Sequence, residues 1–351
     1  MLGYSGTCQP TDKGGKDIEL VDLFAIITVG DKETVTAGSG ESLDAIMIPG
    51  YPRYHIGRDG RGRPTLLIEV DPSPMSIPAL ALQNLLVEYD VSSLISSKAA
   101  GRHAARVTVI RCIGSDPDLH DLFLHVAGSL IGTLGPEPSP VAIHSAISDL
   151  VALFQSLESH ASTKSVKGLW AELLVIRQAR RPEILAQAWH ATARDLWDFN
   201  AGTQRIEVKS CGTTIRQHRF NLAQLNPPRE TMVAVASLVV MSSPQGASIA
   251  DLLRDLHRRL SRFPTVKYRV DRIAAESLGI AWGEAYSLQF DVEKAMDSLA
   301  FYDASAVPAI SLPLSPGVSD VHFISDLSGI DPWTAAQLHR SGGLFAAVAR
   351  P

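Results

Sequence analysis

Two acidic residues and a lysine are spaced so that they could hold a metal ion beside a phosphate. Eight residues separate Asp198 from Glu207, and one residue separates Glu207 from Lys209. Carboxylates held close together repel unless a cation lies between them or one keeps a proton. Mg²⁺ takes oxygen ligands and keeps several waters, and a neighbouring lysine can orient a water or stabilise charge on a phosphate. The spacing indicates metal-assisted attack on a phosphodiester, with the Val208 carbonyl as a further ligand.

The elements around these residues could bring them together. RIEVKS (205–210) alternates apolar and charged residues, which predicts a strand with Glu207 and Lys209 on one face. LWDF (196–199) and a turn at NAGT precede it, so we predict a β-hairpin that places Asp198 near Glu207. The alternative is a structural charge cluster at the rim of a strand, since a single Glu-x-Lys is usually a solvated strand face.

A third carboxylate lies on a predicted helix at 166–181. Glu172 falls at the edge of its apolar stripe, where a carboxylate needs a partner such as a metal-water cluster. A glutamate favoured by the helix dipole near the N-terminus, or a salt bridge to Arg177 or Lys167, is an equally simple explanation. Asp195 is a rival first acid, but its position at the end of a predicted helix (182–195) favours a capping or solvated role.

The remaining pattern predicts two parts. Residues 1–135 are β-rich, with strands at 23–29, 64–70 and 105–112, a hairpin turn within 51–64 and a helix at 117–134. Three prolines in GPEPSP (135–140) mark a boundary. Residues 139–351 form the second part, with a catalytic core at about 165–245. Before the segment 166–211 we predict a helix from Pro140. After it we predict a strand running into a turn (213–228), a buried strand (232–241), helices at 248–263 and 271–279, strands near 286–292 and 320–325, and a terminal helix.

Composition excludes several classes of protein. The net charge of the 351 residues is −5, so any DNA binding must use a local patch. Three widely spaced cysteines (Cys8, Cys112 and Cys211) indicate neither a disulfide framework nor a zinc site, and they favour the cytoplasm. We expect no signal peptide and no membrane span. GxxxxGK[ST] and GxSxG motifs are absent from the sequence, which argues against a P-loop NTPase and a serine hydrolase.

Two basic stretches could contact DNA phosphates. The segment 254–269 supplies Arg258, Arg259 and Arg262, although acidic neighbours make an ordinary charged helix face the competing interpretation. The other stretch is the Arg-rich hairpin tip within 51–64, which could equally be a solvated loop.

Four segments carry a resemblance to a known family: GLWAEL, WDF, RIEVKS and HRFNLAQL, all within about 165–226. They resemble the PD-(D/E)XK nuclease superfamily, and more closely its bacterial branch DUF4420. The resemblance implies an α/β (α+β) restriction-endonuclease-like mixed sheet flanked by helices, here after a β-rich N-terminal domain. It also implies roles for individual residues: Asp198 and Glu207 as metal acids, Lys209 as the catalytic lysine, Glu172 as the helix acid, and Gln224 and His218 as polar positions after the lysine strand. We further predict His218 and Arg219 as possible DNA contacts. Trp197 stands where the superfamily's proline would be.

The function implied is that of a Mg²⁺-dependent DNA endonuclease, with Mn²⁺ as a substitute. The resemblance further implies a nuclease subunit of a bacterial restriction or anti-phage system that works with ATPase or helicase-like partners. A homodimer is a further possible assembly. The alternative is a nuclease fold used only for DNA binding or assembly, which should show no metal-dependent stabilisation.

Overall fold

The computed structural model describes residues 20–27, 33–36, 42–71, 77–97, 101–159, 166–190, 195–279 and 287–349. The segment on which the expectation of no signal peptide rests, and Cys8 with it, lies outside these residues. The N-terminal part contains α1 (Leu20–Ile26), β1 (Glu33–Thr36), β2 (Ser42–Ile48), β3 (Tyr51–Arg58), β4 (Pro64–Glu69), β5 (Leu80–Ala81), β6 (Leu85–Ser97), β7 (Gly101–Cys112) and α2 (Pro117–Leu134).

The N-terminal strands form a small antiparallel barrel. Their order is β1-β2-β3-β4-β7-β6, and β1 pairs with both β2 and β6, which closes the ring. The first half of β6 pairs with the short β5, and a register shift between Glu88 and Val91 separates it from the half that pairs with β1. Closure of the barrel pairs the backbone N–H and C=O groups that edge strands would otherwise leave exposed. The predicted β-rich N-terminal region is therefore confirmed.

The second part contains α3 (Pro140–Ser159), α4 (Val166–Gln178), α5 (Pro182–Ala188), β8 (Phe199–Ala201), β9 (Gln204–Cys211), β10 (Gln217–Asn221), β11 (Met232–Val239), β12 (Ser242–Ala247), α6 (Ile249–Arg259), α7 (Pro264–Leu278), α8 (Val292–Ser298), β13 (Ala300–Asp303), β14 (His322–Asp326), α9 (Ala335–Arg340) and α10 (Gly343–Val348). Its main sheet has the order β13-β11-β9-β8 and is mixed, because β11 is parallel to β9 whereas the other pairs are antiparallel. The predicted fold class is confirmed.

Both faces of this sheet are covered, as expected for a central layer. On one face, Ile206 of β9 and Ala234 and Ala236 of β11 belong to the core that includes α4 and α6. On the other face, Val235 of β11 packs in a second cluster with Phe220 of β10. A separate two-stranded ribbon of β10 and β14 covers that side.

Two strand predictions were wrong. The run at 23–29 falls largely in α1, because Leu20 and Phe24, one helical turn apart, bury together and α1 packs beside α2. The strand predicted near 286–292 is reduced to one residue, Phe290, which bridges Ser242 and Ala247 before α8 begins; residues 280–286 lie outside the described part. The helix predicted at 182–195 ends at Ala188.

The helical conformation is interrupted between α2 and α3, at the position that the prolines predicted. One hydrophobic cluster nevertheless includes residues of the barrel, α2, α3 and the main sheet, and α2 packs against α7. The division into 1–135 and 139–351 stays a prediction. None of the helices in the described residues combines the length and the apolar composition that a membrane span requires.

Candidate metal and phosphodiester site

Asp198 stands at the start of the β8–β9 hairpin. Phe199 opposes Ile206 in the antiparallel ladder, and Asp198 immediately precedes it. The Val208 backbone N–H donates to Asp198 Oδ2 at 2.7 Å, so the carboxylate is fixed against β9. The N–H and C=O of a strand residue point to the same edge, and the Val208 carbonyl therefore faces the edge where Asp198 lies.

Strand alternation separates the charged side chains of β9 from its apolar ones. Ile206 is fully buried in the core on the helix side, and Val208 packs partly against the same core. Glu207 and Lys209 lie on the opposite face. Glu207 is only 5% exposed, which makes its charge costly unless it is compensated.

Glu207 is held by Lys209 and Gln224. Its Oε1 lies 2.7 Å from Lys209 Nζ and accepts a 2.7 Å hydrogen bond from Gln224 Nε2. Lys209 Nζ also donates to Gln224 Oε1 at 3.3 Å, which closes a three-residue network. Gln224 is itself fixed, because its Oε1 accepts from the Asn221 backbone N–H at 3.0 Å in a capping box.

The second oxygen of Glu207 is buried without a hydrogen-bond partner. Burial, followed by the negative charge of Asp198, raises the pKa of Glu207 to about 8, although Lys209 acts in the opposite direction. Glu172 contributes further repulsion. The carboxyl therefore sits where positive charge is insufficient, and an orphaned buried oxygen of this kind needs an explanation such as an ion.

A second group of ligand atoms adjoins Asp198. Glu172, His190 and Asp198 each offer one atom, and these atoms all lie within 4.8 Å of one another. His190 Nε2 lies 3.2 Å from Glu172 Oε2 and 3.4 Å from Asp198 Oδ1. Trp189 Nε1 donates to the same Glu172 oxygen at 2.8 Å. Glu172 is thus a buried, oriented carboxylate on α4.

Most of the predicted site residues lie together, and His218 lies apart from them. The structure brings together Glu172, Asp198, Glu207, Lys209 and Gln224, along the hairpin, α4 and the turn after β10. His218 is 4% exposed and its Nε2 lies 2.8 Å from Ser237 Oγ, so its ring is engaged within the protein and its contact with DNA stays a prediction. Burial lowers the pKa of His218 to about 4, so it is neutral at pH 7.

The arginines expected to contact DNA occupy varied settings. Arg219 is exposed on β10, and Arg262 is exposed just after α6. Arg258 pairs with Asp255, and Arg259 donates to the Ala179 carbonyl at 2.9 Å. In the hairpin tip at 51–64, Arg63 pairs with Asp59, as in an ordinary ordered turn.

His190 was missed at the level of sequence. It lies eight residues before Asp198 in AWHATARDLWDF, within a segment predicted as helix, so no pattern set it apart. The helix instead ends at Ala188, and Trp189 forms a bridge with Phe199. His190 lies beside Asp198, whose backbone carbonyl accepts from the His190 N–H at 3.0 Å. The only signal in the sequence was the Trp189-His190 pair, which lies shortly before Asp198.

The donor set fits a divalent cation. Carboxylate oxygens of Asp198 and Glu207, with the Val208 carbonyl, are ligands that Mg²⁺ accepts. The orphaned Glu207 oxygen supplies the independent observation, because a buried anionic oxygen lacking a donor is a ready position for a cation.

A mixed sheet flanked by helices, with an acid on a hairpin and a Glu-x-Lys on the next strand, defines a restriction-endonuclease-like protein of the PD-(D/E)XK class. The chain belongs to the family described as "Putative PD-(D/E)XK family member, (DUF4420)", whose model matches residues 33–328. No curated protein and no solved structure matched the chain.

Proposed function

We propose that this protein is a Mg²⁺-dependent DNA endonuclease of the cytoplasm, with Mn²⁺ able to substitute. The observation that carries the proposal is the pairing on β9: Lys209 Nζ lies 2.7 Å from a buried Glu207 whose other oxygen has no partner. A purely structural ion pair gains nothing from a second acid nearby, because Asp198 raises the cost of the Glu207 charge.

Each residue has a role in this proposal. Asp198 and Glu207 hold the cation with the Val208 carbonyl, and the 2.7 Å bond from the Val208 N–H keeps Asp198 oriented. Bound Mg²⁺ supplies Lewis-acid polarisation of the phosphate and lowers the pKa of a coordinated water. Lys209 orients the attacking water and stabilises negative charge that builds on the phosphate. Gln224 holds the Glu207 and Lys209 side chains in position, and Glu172 helps from α4 through a metal ion or a water.

The family resemblance extends the proposal to a biological setting. We propose a nuclease subunit of a bacterial restriction or anti-phage system, acting with ATPase or helicase-like proteins, as a monomer or homodimer. Arg219 and Arg262 are both exposed, and we propose them as phosphate contacts.

A non-catalytic role is the second candidate. The closed network of Glu207, Lys209 and Gln224 favours it, since Glu207 Oε1 already has two partners within the protein and Glu207 is 5% exposed. A nuclease fold used only for DNA binding or assembly would keep such a network without binding metal.

Plasmid cleavage by the full chain tests the catalytic proposal. Supercoiled, linear and single-stranded DNA are incubated with Mg²⁺, Mn²⁺ or EDTA, using the parent protein, Glu207→Gln and Lys209→Ala. We expect metal-dependent cutting by the parent and a loss of about 10²-fold or more in each variant, the usual size for loss of a proton-transfer or charge-stabilising group.

Two exposed neighbours on α8 supply matched controls. Glu293→Gln and Lys294→Ala make the same charge changes away from the site, and they should cut at the parent rate. If Glu207→Gln or Lys209→Ala cuts as fast as the parent, the assigned roles are wrong. If the parent binds DNA but cuts none of the substrates with either metal, the binding or assembly role replaces the catalytic one.

A further inference from the structure

His190 lies between two carboxylates that the proposed nuclease would use. Its Nε2 is 3.2 Å from Glu172 Oε2 and 3.4 Å from Asp198 Oδ1. A ring nitrogen carries at most one proton, so at most one N–H is available to the two acids. The three atoms are arranged in the way that the ligands of one small cation are arranged.

The surrounding contacts hold His190 in this position. Its backbone N–H donates to the Asp198 carbonyl, and the Arg269 guanidinium of α7 donates to the carbonyls of both Trp189 and His190. The backbone φ of His190 is +20°, a value that L residues rarely adopt. Strained conformations of this kind persist only when the surroundings over-determine them, and they concentrate at functional sites.

An independent observation at the site indicates a ligand. Glu207 is 5% exposed and its Oε2 has no hydrogen-bond partner. Glu207 is close enough to both Asp198 and Glu172 for their charges to act on it. Glu207 is therefore a third buried carboxylate near the two that contact His190, and one of its oxygens lacks a donor.

We infer that His190 is a direct ligand of the catalytic metal, together with Glu172 and Asp198, and that its nitrogen makes the site favour Mn²⁺ over Mg²⁺. Mg²⁺ takes oxygen ligands almost exclusively, whereas Mn²⁺ accepts carboxylate oxygens and the imidazole nitrogen that is the commonest protein ligand of transition metals. This inference rests on the proposed function, because it concerns the same metal site. Arg269 and Trp189 are positioning residues, since they touch the ligands and not the metal.

Metal binding by the full chain tests the inference without relying on cleavage. Mn²⁺ affinity is measured from the electron paramagnetic resonance of free Mn²⁺, and Mg²⁺ affinity by competition, for the parent, His190→Gln and the exposed control His144→Asn. We expect the parent to bind Mn²⁺ at least about tenfold more tightly than Mg²⁺. In His190→Gln, Mn²⁺ affinity should fall at least about tenfold, at the low end of losses on perturbing a metal ligand, whereas Mg²⁺ affinity should change by less than about threefold.

A spectroscopic measurement covers the case in which His190→Gln fails to fold. Electron spin-echo modulation of Mn²⁺ in the parent protein should show coupling to an imidazole ¹⁴N nucleus, and the coupling should persist in His144→Asn. Absence of that coupling in the parent overturns the inference whatever the variant does, and so does an unchanged Mn²⁺ affinity in folded His190→Gln. If the parent still cuts DNA with either metal, only the role of His190 fails; if it neither binds metal nor cuts, the proposed nuclease function fails as well.

Discussion

Gln224 donates a 2.7 Å hydrogen bond from Nε2 to Oε1 of Glu207, across the boundary between the β10–β14 ribbon and the main sheet. The same amide accepts from Lys209 and from the Asn221 backbone, so it is locked in one orientation. An amide can do both because it carries a donor and an acceptor. The short turn after β10 therefore sets the separation of the acid and the lysine on β9.

Gln224→Ala should lower the turnover number and leave DNA affinity nearly unchanged. Removing an outer partner of a metal ligand costs about 10- to 100-fold in activity or metal affinity, and the Gln224 amide already makes its hydrogen bonds within the protein. Steady-state cleavage and fluorescence anisotropy with labelled DNA measure the two quantities. Gln217→Ala, exposed on β10, is the control, and equal turnover in the two variants would show that Gln224 does not position the site.

Glu207→Gln should stabilise the metal-free protein while abolishing its response to metal. The raised pKa of Glu207 means that burial and Asp198 outweigh the attraction of Lys209, so a neutral isostere removes a net penalty. In EDTA at pH 8 we expect a melting temperature higher by about 2 °C or more. Parent protein should gain stability with Mg²⁺ or Mn²⁺, and the variant should not.

Differential scanning fluorimetry makes this comparison, with Glu293→Gln as the matched control on exposed α8. A lower melting temperature for Glu207→Gln in EDTA would mean that the ion pair with Lys209 stabilises the fold. The alternative that Glu207 and Lys209 form a structural charge cluster at the rim of a strand would then be favoured.

The hairpin and its charges could be predicted from sequence because the determinants are local. Alternation in 205–210 fixes which side chains share a face, and Phe199 opposite Ile206 follows from the short turn between them. Gln224, by contrast, entered through family resemblance alone. Its contact with Glu207 depends on β10 pairing with β14, strands about a hundred residues apart in the chain, which no local pattern encodes.

The incorrect and missed assignments have tertiary causes. The apolar run at 23–29 has strand-like composition, but Leu20 and Phe24 find a core beside α2 when they are helical. His190 required knowing that α5 ends at Ala188 and that the His190 backbone is hydrogen-bonded to Asp198. The end of a helix is the least predictable part of it, and here the ligand atom lies just beyond that end.

Gly246→Ala should destabilise the protein and disturb the helix that carries Glu172. A Cβ at Gly246 would lie 2.2 Å from the Phe290 carbonyl oxygen, which is backbone and cannot swing away. The Phe290 ring packs on Trp170 of α4 at 5.3 Å between centroids. Overpacking of this kind costs about 1–3 kcal/mol or more.

Denaturant unfolding of Gly246→Ala and Gly329→Ala measures that effect. A Cβ at Gly329 meets nothing within 4 Å, so its substitution should change the free energy of unfolding by less than about 0.5 kcal/mol. Equal stabilities of the two variants would contradict the close approach of β12 to Phe290.

Arg219→Ala should weaken DNA binding about equally for different sequences. Arg219 is exposed on β10, three residues before the turn that carries Gln224, and phosphate contacts supply affinity without reading the sequence. The slope of log affinity against log salt should fall by about 0.9 for one lost phosphate contact. Arg340→Ala, exposed on α9, is the control; unchanged affinity and slope in Arg219→Ala would remove Arg219 from the interface.

A buried histidine pair should make the protein sensitive to mild acid. His125 Nδ1 of α2 lies 3.2 Å from His257 Nδ1 of α6, and His257 Nε2 lies 2.6 Å from Asp271 Oδ1 of α7. Burial lowers the pKa of His125 to about 4; the charges of His257, Arg254 and Lys267 add to that effect, and Asp271 opposes it. The network joins α2 to the helices that follow the main sheet.

The sign of the pH effect follows from proton binding. In the unfolded chain His125 takes up a proton near its ordinary pKa of 6.5, whereas the folded protein resists protonation down to about pH 4. Protonation therefore favours unfolding as pH falls from about 6.5 to about 4, and His125 has no further effect above that window. Between pH 7 and pH 5 its contribution to the loss of stability is about 2 kcal/mol, at 1.36 kcal/mol per pKa unit. Urea unfolding at both pH values should show a smaller loss in His125→Asn than in the parent or in His144→Asn, and an identical loss in all three would mean that His125 is not held neutral by its burial.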